Sequence, residues 1–255
     1  MTALAGWMGL APGVVVLAVL TCFAAGAIRG FAGFGLSALA MATLAAVIPP
    51  VQLIPVFWFL EMTGSLILMK GGWADADRAA ALTLTVASGL ALPVGLLASL
   101  AVDPAMSKAA ALVVLVALAL TQLARLRIPA LASRGGTVAA GLGAGVITGI
   151  AGAGGMVIAL YALVRDLPAR TMRGTLNIYL LGAGLLGLAT HVAIGTMDAL
   201  ALQRAAVLIP VTVAGVLLGR ALFTPRWERY YRPACLTLLL GLAAAGLLRL
   251  ASETS

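Results

Sequence analysis

The chain has 255 residues, of which 63% are hydrophobic and 9% are charged, with a formal net charge of +8 and a mean hydropathy of +1.14. Such an apolar composition excludes a water-soluble globular protein and indicates an integral membrane protein. The basic residues lie at the ends of apolar runs, where they set topology and contact anionic lipid head groups. The positive charge therefore does not indicate nucleic-acid binding.

Ten helical segments are predicted along the chain, in two sets of five. Those of the first half lie at about 12–28, 35–47, 51–70, 79–100 and 105–126, and those of the second at about 135–148, 154–164, 171–193, 204–223 and 232–250. The linker between the halves is 127–134. We therefore expect one transmembrane domain over 1–255, built from internal repeats at about 10–126 and 135–250.

Two glycine-rich stretches carry the clearest sign of duplication. AGAIRGFAGFG at 25–35 and AGVITGIAGAG at 144–154 match at seven of eleven positions, 119 residues apart. Each interrupts a long apolar run. The pair predicts a duplicated break in membrane-embedded helix, which is typical of transporters.

The second segment of each half is too short to cross a membrane, because spanning the hydrocarbon core takes about 20 helical residues. A hairpin that enters and returns is possible where protein or a watery cavity satisfies its free backbone groups. We predict an all-α polytopic membrane protein with two inverted repeats. Each repeat has a short broken or re-entrant helical hairpin and three transmembrane helices.

The distribution of basic residues predicts the orientation of both halves. In the first half Lys70, Arg78, Arg125, Arg127 and Arg134 lie on the linker side, against Lys108 on the other. In the second half seven arginines lie on the linker side, against Arg204 and Arg249. By the positive-inside rule the linker is cytoplasmic and both termini are external.

The two breaks predict an anion site near the membrane midplane. Helices that begin near Gly35 and Gly154 aim unpaired N–H groups and positive dipole ends at this space. Arg29 adds a full charge at the first break, where the second has the Thr148 hydroxyl. Asn177 is a further candidate, either for the oxyanion or as a helix cap. The candidate substrate-binding residues are Arg29, Gly30, Gly33, Gly35, Thr148, Gly149, Gly152, Gly154 and Asn177; the alternative role of the glycines is close helix packing.

Glu61 is the one acidic residue predicted at membrane depth. It is interpreted either as a proton-coupling carboxylate or as the ion-pair partner of Arg29. His191, the only histidine, is a candidate proton relay or an interfacial residue. No metal site or cofactor is predicted.

These motifs resemble the sulfite exporter TauE/SafE family, also called the toluene sulfonate uptake permease family. The resemblance covers essentially the whole chain and rests on IRGFAGFGLSALAM with Pro49 and Pro50, and on GVITGIAGAGGMV followed by RTMRGTLN at 170–177. It implies an inner-membrane permease that moves a sulfur-containing anion such as sulfite, a sulfonate, sulfoacetate or thiosulfate by a secondary mechanism. Phe34 and Ala153 depart from a more polar pattern, which leaves open an organosulfonate with an apolar tail.

Other functions are compatible with the same segments. An anion channel could use the same broken helices, and a non-transporting scaffold needs no site at all. Ser37 and His191 could form the dyad of an intramembrane serine hydrolase. The expected partners are the anion, membrane lipids, protons as coupling ion and a second copy in a homodimer.

Overall fold

The computed structural model describes residues 2–123 and 129–224, together with the single residues 226, 237 and 241. These residues form ten α-helices and a 3-10 helix, Pro129–Ala132, with no strand among them. The helices are α1 (Thr2–Met8), α2 (Pro12–Ala32), α3 (Leu36–Leu44), α4 (Pro50–Gly72), α5 (Arg78–Leu100), α6 (Pro104–Leu123), α7 (Arg134–Ala151), α8 (Gly154–Val164), α9 (Ala169–Ile194) and α10 (Ala199–Leu222).

Five of these helices are long and apolar enough to cross a membrane: α2, α4 over Pro50–Met69, α5, α9 and α10. The prediction of an all-α, multi-pass membrane protein is confirmed. Helices α3 and α8, with 9 and 11 residues, are the short segments that follow the glycine breaks. The predicted last segment, 232–250, apart from residues 237 and 241, and linker residues 127 and 128 lie outside the described residues.

Helix α1 was not predicted, and two helix boundaries differ from the sequence prediction by more than three residues. Helix α2 continues to Ala32 instead of ending near residue 28. Arg29 is buried and finds its hydrogen-bond partners inside the protein, so the helix does not have to end before it to let its charge contact water. Helix α10 begins five residues earlier than predicted. Its start is fixed by Asp198, whose Oδ1 accepts a hydrogen bond of 2.7 Å from the Ala201 amide, as an N-cap does.

Helices α4 and α9 pack against each other. Helix α5 packs along α7 and contacts α9, while α10 packs along α2 and contacts α4. In the two halves, α2 to α5 correspond in order to α7 to α10. The contact of α5 with α7 therefore corresponds to that of α10 with α2, and the contact of α5 with α9 to that of α10 with α4. The repeat boundaries themselves stay a prediction.

Glycines let the backbones of these helix pairs touch. A Cβ at Gly145 of α7 would overlap the Ser88 carbonyl oxygen of α5, and one at Gly219 of α10 would overlap the Ala27 carbonyl oxygen of α2. Large apolar side chains cover the outside of the bundle, as on α5, where Leu90 is 72% exposed. Such a surface suits lipid, and small residues at the contacts are how membrane helices associate.

Gly145→Ala tests the close contact of α5 and α7. We expect a loss of about 1–3 kcal/mol of stability, because the added methyl group must displace backbone. Gly143→Ala on the same helix is the matched control: a Cβ there meets nothing within 4 Å. It should be neutral or stabilising. Thermal denaturation of the detergent-solubilised variants measures both, and equal shifts would contradict the packing described.

Candidate functional site

The first helix break lies between α2 and α3. Helix α2 ends at Gly33, whose φ of +85° is left-handed and whose N–H donates to the Arg29 carbonyl oxygen at 2.9 Å. Gly35, with φ of +95°, then precedes α3. Both conformations strain a residue that has a Cβ, so the two glycines explain why the helix breaks here.

The second break lies between α7 and α8 and uses one left-handed glycine. Gly152 has φ of +64°, and its N–H donates to the Thr148 carbonyl oxygen at 2.8 Å. Helix α8 begins at Gly154, where a Cβ would overlap Thr148 Oγ1 and the Ala144 carbonyl oxygen. A glycine is therefore needed for the start of α8 to pack against α7.

Arg29 is fully buried at the first break, and each nitrogen of its guanidinium group has an acceptor. Nε donates to Glu61 Oε2 at 2.9 Å, and Nη1 donates to the Gly33 carbonyl oxygen. Nη2 donates to Ser65 Oγ at 2.8 Å and to Asn177 Oδ1 at 3.2 Å. Arg29 thus forms an ion pair with Glu61, which was one of the two sequence interpretations of that carboxylate.

The Glu61 carboxylate also lies on the N-terminus of α3. Its Oε1 accepts hydrogen bonds from the Ser37 amide at 3.2 Å and from Ser37 Oγ at 3.0 Å. The protein's own carboxylate therefore occupies the first of the two helix ends that the sequence predicted for an anion. An N-terminal helix end stabilises such a negative charge.

A cavity of about 70 Å³ adjoins Glu61 and is bounded by both halves of the chain. Its polar wall consists of Ser37, Glu61, Ser88, Thr148, Tyr179 and His191. Gly154 and Gly155 also line it, and the first amides of a helix have no intrahelical acceptor. Since one water needs at least about 10–15 Å³ of such space, the cavity has room for a few waters or one small oxyanion.

Hydroxyl groups and one indole complete the cavity wall. Tyr179 Oη and Ser88 Oγ are 3.1 Å apart, and Thr148 Oγ1 donates to the Ala144 carbonyl oxygen at 2.7 Å. Trp58 Nε1 donates to the Gly184 carbonyl oxygen at 2.8 Å, so this tryptophan both packs and lines the cavity. These groups carry no charge, which leaves Glu61 as the carboxylate of the wall.

His191 and Ser37 line the same cavity but are bonded to other groups. His191 Nδ1 is 2.8 Å from Thr196 Oγ1, while Ser37 Oγ donates to Glu61. Among the described residues there is no hydrogen bond between them, as a serine nucleophile and its base would have. The same part of the chain contains no group of three or more His, Cys, Asp or Glu side chains that could hold a metal ion.

The predicted site residues fall into three positions. Glu61, Thr148, Gly152 and Gly154 line the cavity; Arg29, Gly33, Gly35 and Asn177 lie behind Glu61 or at the first break; Gly30 and Gly149 lie in helix contacts. A Cβ at Gly30 would overlap the Val216 carbonyl oxygen, and one at Gly149 the Leu96 amide. These two glycines therefore have a packing role in this structure.

Sequence reasoning missed several polar groups of the site. Ser65 follows Glu61 by four residues and so faces the same side of α4, a spacing that could have identified it. Ser88 and Tyr179 lie in apolar helices with no motif around them. Arg173, which belongs to the RTMRGTLN motif and was not predicted as a site residue, donates from Nη2 to the Gly30 carbonyl oxygen at 2.6 Å and so holds the C-terminal end of α2.

A second ion pair lies at the C-terminal end of α8. Arg165 Nη1 donates to Asp77 Oδ2 at 3.0 Å and to Tyr161 Oη at 2.8 Å. The hydrogen bond with Tyr161 and the charge of Asp77 raise the pKa of Arg165. Both members of this pair are about 30% exposed, in contrast to Arg29 and Glu61 at 0% and 14%.

A protein-family model described as Sulfite exporter TauE/SafE matches residues 18–246, which is nearly the whole chain. No curated protein and no solved structure matches the chain. The matched region includes both glycine breaks, Arg29 and Glu61.

Glu61→Gln tests the burial of the first ion pair. We expect it to cost about 3 kcal/mol, because it leaves the Arg29 charge uncompensated away from water. Asp77→Asn is the matched control: it breaks a partly exposed pair worth about 1 kcal/mol or less, and asparagine still caps α5. Thermal denaturation in detergent compares the two, and an equal loss would contradict the difference in burial.

Proposed function

This chain belongs to the sulfite exporter TauE/SafE family, and from that premise we propose that it is a secondary transporter for a sulfur-containing oxyanion in the inner membrane. Membership already implies a transporter of the sulfur-anion exporter type. The observation that carries the finer proposal is the position of Glu61, between Arg29 and a cavity that the N-terminus of α8 reaches. Sulfite, a sulfonate, sulfoacetate and thiosulfate are the candidate substrates.

The substrate anion binds at the start of α8 in this proposal. Gly154 and Gly155 lie at the positive end of the helix dipole and line the cavity, as does Thr148. The equivalent end of α3 is already occupied by the Glu61 carboxylate. The second repeat therefore binds the transported anion at α8, and the first repeat holds the Glu61 carboxylate at α3.

Glu61 couples the anion to a proton. A substrate anion in the cavity and an ionised Glu61 repel each other at short range, so a proton on Glu61 favours binding. Protonation also weakens the ion pair with Arg29 and leaves the arginine charge to attract the substrate. Arg29, Gly33, Gly35 and Asn177 then stabilise the loaded state. Anion and proton consequently move together.

Alternating access in this proposal comes from movement of two helix pairs, one on each side of the cavity. Helices α2 and α10 form one close pair and α5 and α7 the other, with the cavity between α4 and α9. Movement of one pair relative to the other opens the cavity to one side of the membrane at a time, as in other transporters built from inverted repeats.

Uptake into proteoliposomes tests this function. Labelled sulfite, sulfoacetate and thiosulfate are supplied with and without an acidic exterior. We expect saturable uptake of one of them by the native protein, stimulated by the proton gradient. Arg29→Gln should lower uptake about fivefold or more, because it removes the charge that attracts the substrate once Glu61 is protonated, and one unit charge is worth about 1 kcal/mol at about 4 Å even in water.

Glu61→Gln separates coupling from binding in the same vesicles. Glutamine imitates the protonated carboxyl group, so exchange of internal for external anion should persist while the response to the proton gradient disappears. Asp77→Asn is the control and should retain both. No uptake of any of the three anions by well-folded native protein would reject the proposal. Unsaturable ion currents would instead indicate a channel.

A further inference from the structure

A second cavity, of about 230 Å³, lies where α9 ends and α10 begins. Its polar lining residues are Gln52, Thr196, Asp198 and Arg204, and its apolar lining includes Pro55 and Ile194. Gly195 and Asp198 are exposed, so the cavity is open at this end of the bundle. We call it the Arg204 cavity.

Arg204 is a buried cation with neutral hydrogen-bond partners. It is 4% exposed, and it donates from Nε to the Met8 carbonyl oxygen and from Nη1 to Gln52 Oε1, both at 3.0 Å. Among the described residues no carboxylate oxygen lies within 4 Å of it, and Nη2 has no acceptor. A buried charge without a counter-ion is costly, and the cost falls when an anion binds beside it.

Asp198 is the one acidic residue of this cavity, and it attracts Arg204 electrostatically. Its Oδ1, however, caps α10 through the Ala201 amide. Asp198 is also exposed to solvent, which screens its charge. It therefore leaves part of the Arg204 charge available to a ligand.

The Arg204 cavity and the cavity of about 70 Å³ beside Glu61, which we call the Glu61 cavity, follow one another along α4 and α9. On α4, Val51, Gln52 and Pro55 line the Arg204 cavity, and residues from Ile54 to Met62 line the Glu61 cavity. On α9, the Glu61 cavity reaches to His191, and Ile194 lines the Arg204 cavity. The 2.8 Å hydrogen bond between His191 and Thr196 joins the two walls.

We propose that the Arg204 cavity is a staging site, in which the transported anion binds to Arg204 and Thr196 next to the Glu61 cavity. The proposal rests on the proposed transport function. The ligand class is a soluble sulfur oxyanion, and an arylsulfonate is a suitable probe because Pro55 and Ile194 add apolar surface to the lining of this larger cavity. The phosphate of an anionic lipid has the same oxyanion chemistry and is distinguished below.

Thiol labelling tests the site without requiring transport. Leu200, which lines the cavity, is replaced by cysteine in a background where Cys22 and Cys235 are alanine. The purified protein is labelled in detergent with the anionic sulfonatoethyl and the cationic trimethylammonioethyl methanethiosulfonates. We expect the anionic reagent to be favoured, and toluenesulfonate to protect the cysteine while toluenesulfonamide, its neutral analogue, does not.

Arg204→Gln should lower the anionic-to-cationic rate ratio about fivefold or more, the effect of one unit charge at about 4 Å even in water. Arg204→Lys keeps the charge and should keep most of the ratio. Arg220→Gln is the matched control, since it removes the same charge from the same helix, about 24 Å away. An unchanged ratio in Arg204→Gln, or an equal fall in Arg220→Gln, overturns the proposal.

Three further outcomes separate the possibilities. Should Arg204→Gln fail to fold, equal protection by toluenesulfonate and toluenesulfonamide in the native background overturns the site by itself. In nanodiscs, protection by phosphatidylglycerol and none by toluenesulfonate overturns a substrate site in favour of a lipid site. Arg204-dependent protection by toluenesulfonate in a protein that transports no sulfur anion supports an anion site here and rejects the proposed function. Transport without such protection supports the proposed function and overturns the anion site.

Discussion

The buried ion pair of Arg29 and Glu61 is the interaction on which the site depends. A charge at this depth is costly unless it is paired and hydrogen-bonded, so the arginine requires acceptors from several helices. Glu61 and Ser65 come from α4 and Asn177 from α9, while Ser37 at the start of α3 donates to the carboxylate. The hydrogen bonds of Arg29 and of its partner Glu61 therefore connect α2, α3, α4 and α9.

The scaffold around this pair is held by a different kind of contact. Lipid tails are as apolar as leucine, so burial of apolar side chains does not drive membrane helices together, and close backbone packing takes its place. Glycines at the contacts of α2 with α10 and of α5 with α7 permit that packing. Gly30 and Gly149, which were predicted from the sequence as substrate-binding residues, lie at these helix contacts. In the proposed mechanism, the protonation of Glu61 changes while these outer helix pairs stay packed.

The difference between the two repeats is the basis of the proposed mechanism. Arg29 in the first break corresponds to Thr148 in the second, so the cation and its carboxylate are confined to one half. The N-terminus of α3 is therefore filled by Glu61, and that of α8 is left facing the cavity. In the proposed mechanism, the presence of Arg29 and Glu61 in the first half only separates charge compensation from anion binding.

The sequence alone determined the membrane class, the order of the segments, the two breaks and the family, because apolar runs and left-handed glycines act locally along the chain. Hydropathy placed α4 to within one or two residues, and Gly33 and Gly152 stopped α2 and α7 as their lack of a Cβ allows. The N-cap at Asp198 was equally local, although the apolar pattern around it hid it. Only the tertiary structure decided what Arg29 binds, since Ser65 and Asn177 are 36 and 148 residues away. It also decided that Gln52 and Arg204 meet beside an open cavity. The reason is physical: a hydrogen bond requires two groups within about 3 Å, and the spacing and rotation of packed helices, which no local pattern encodes, set that distance.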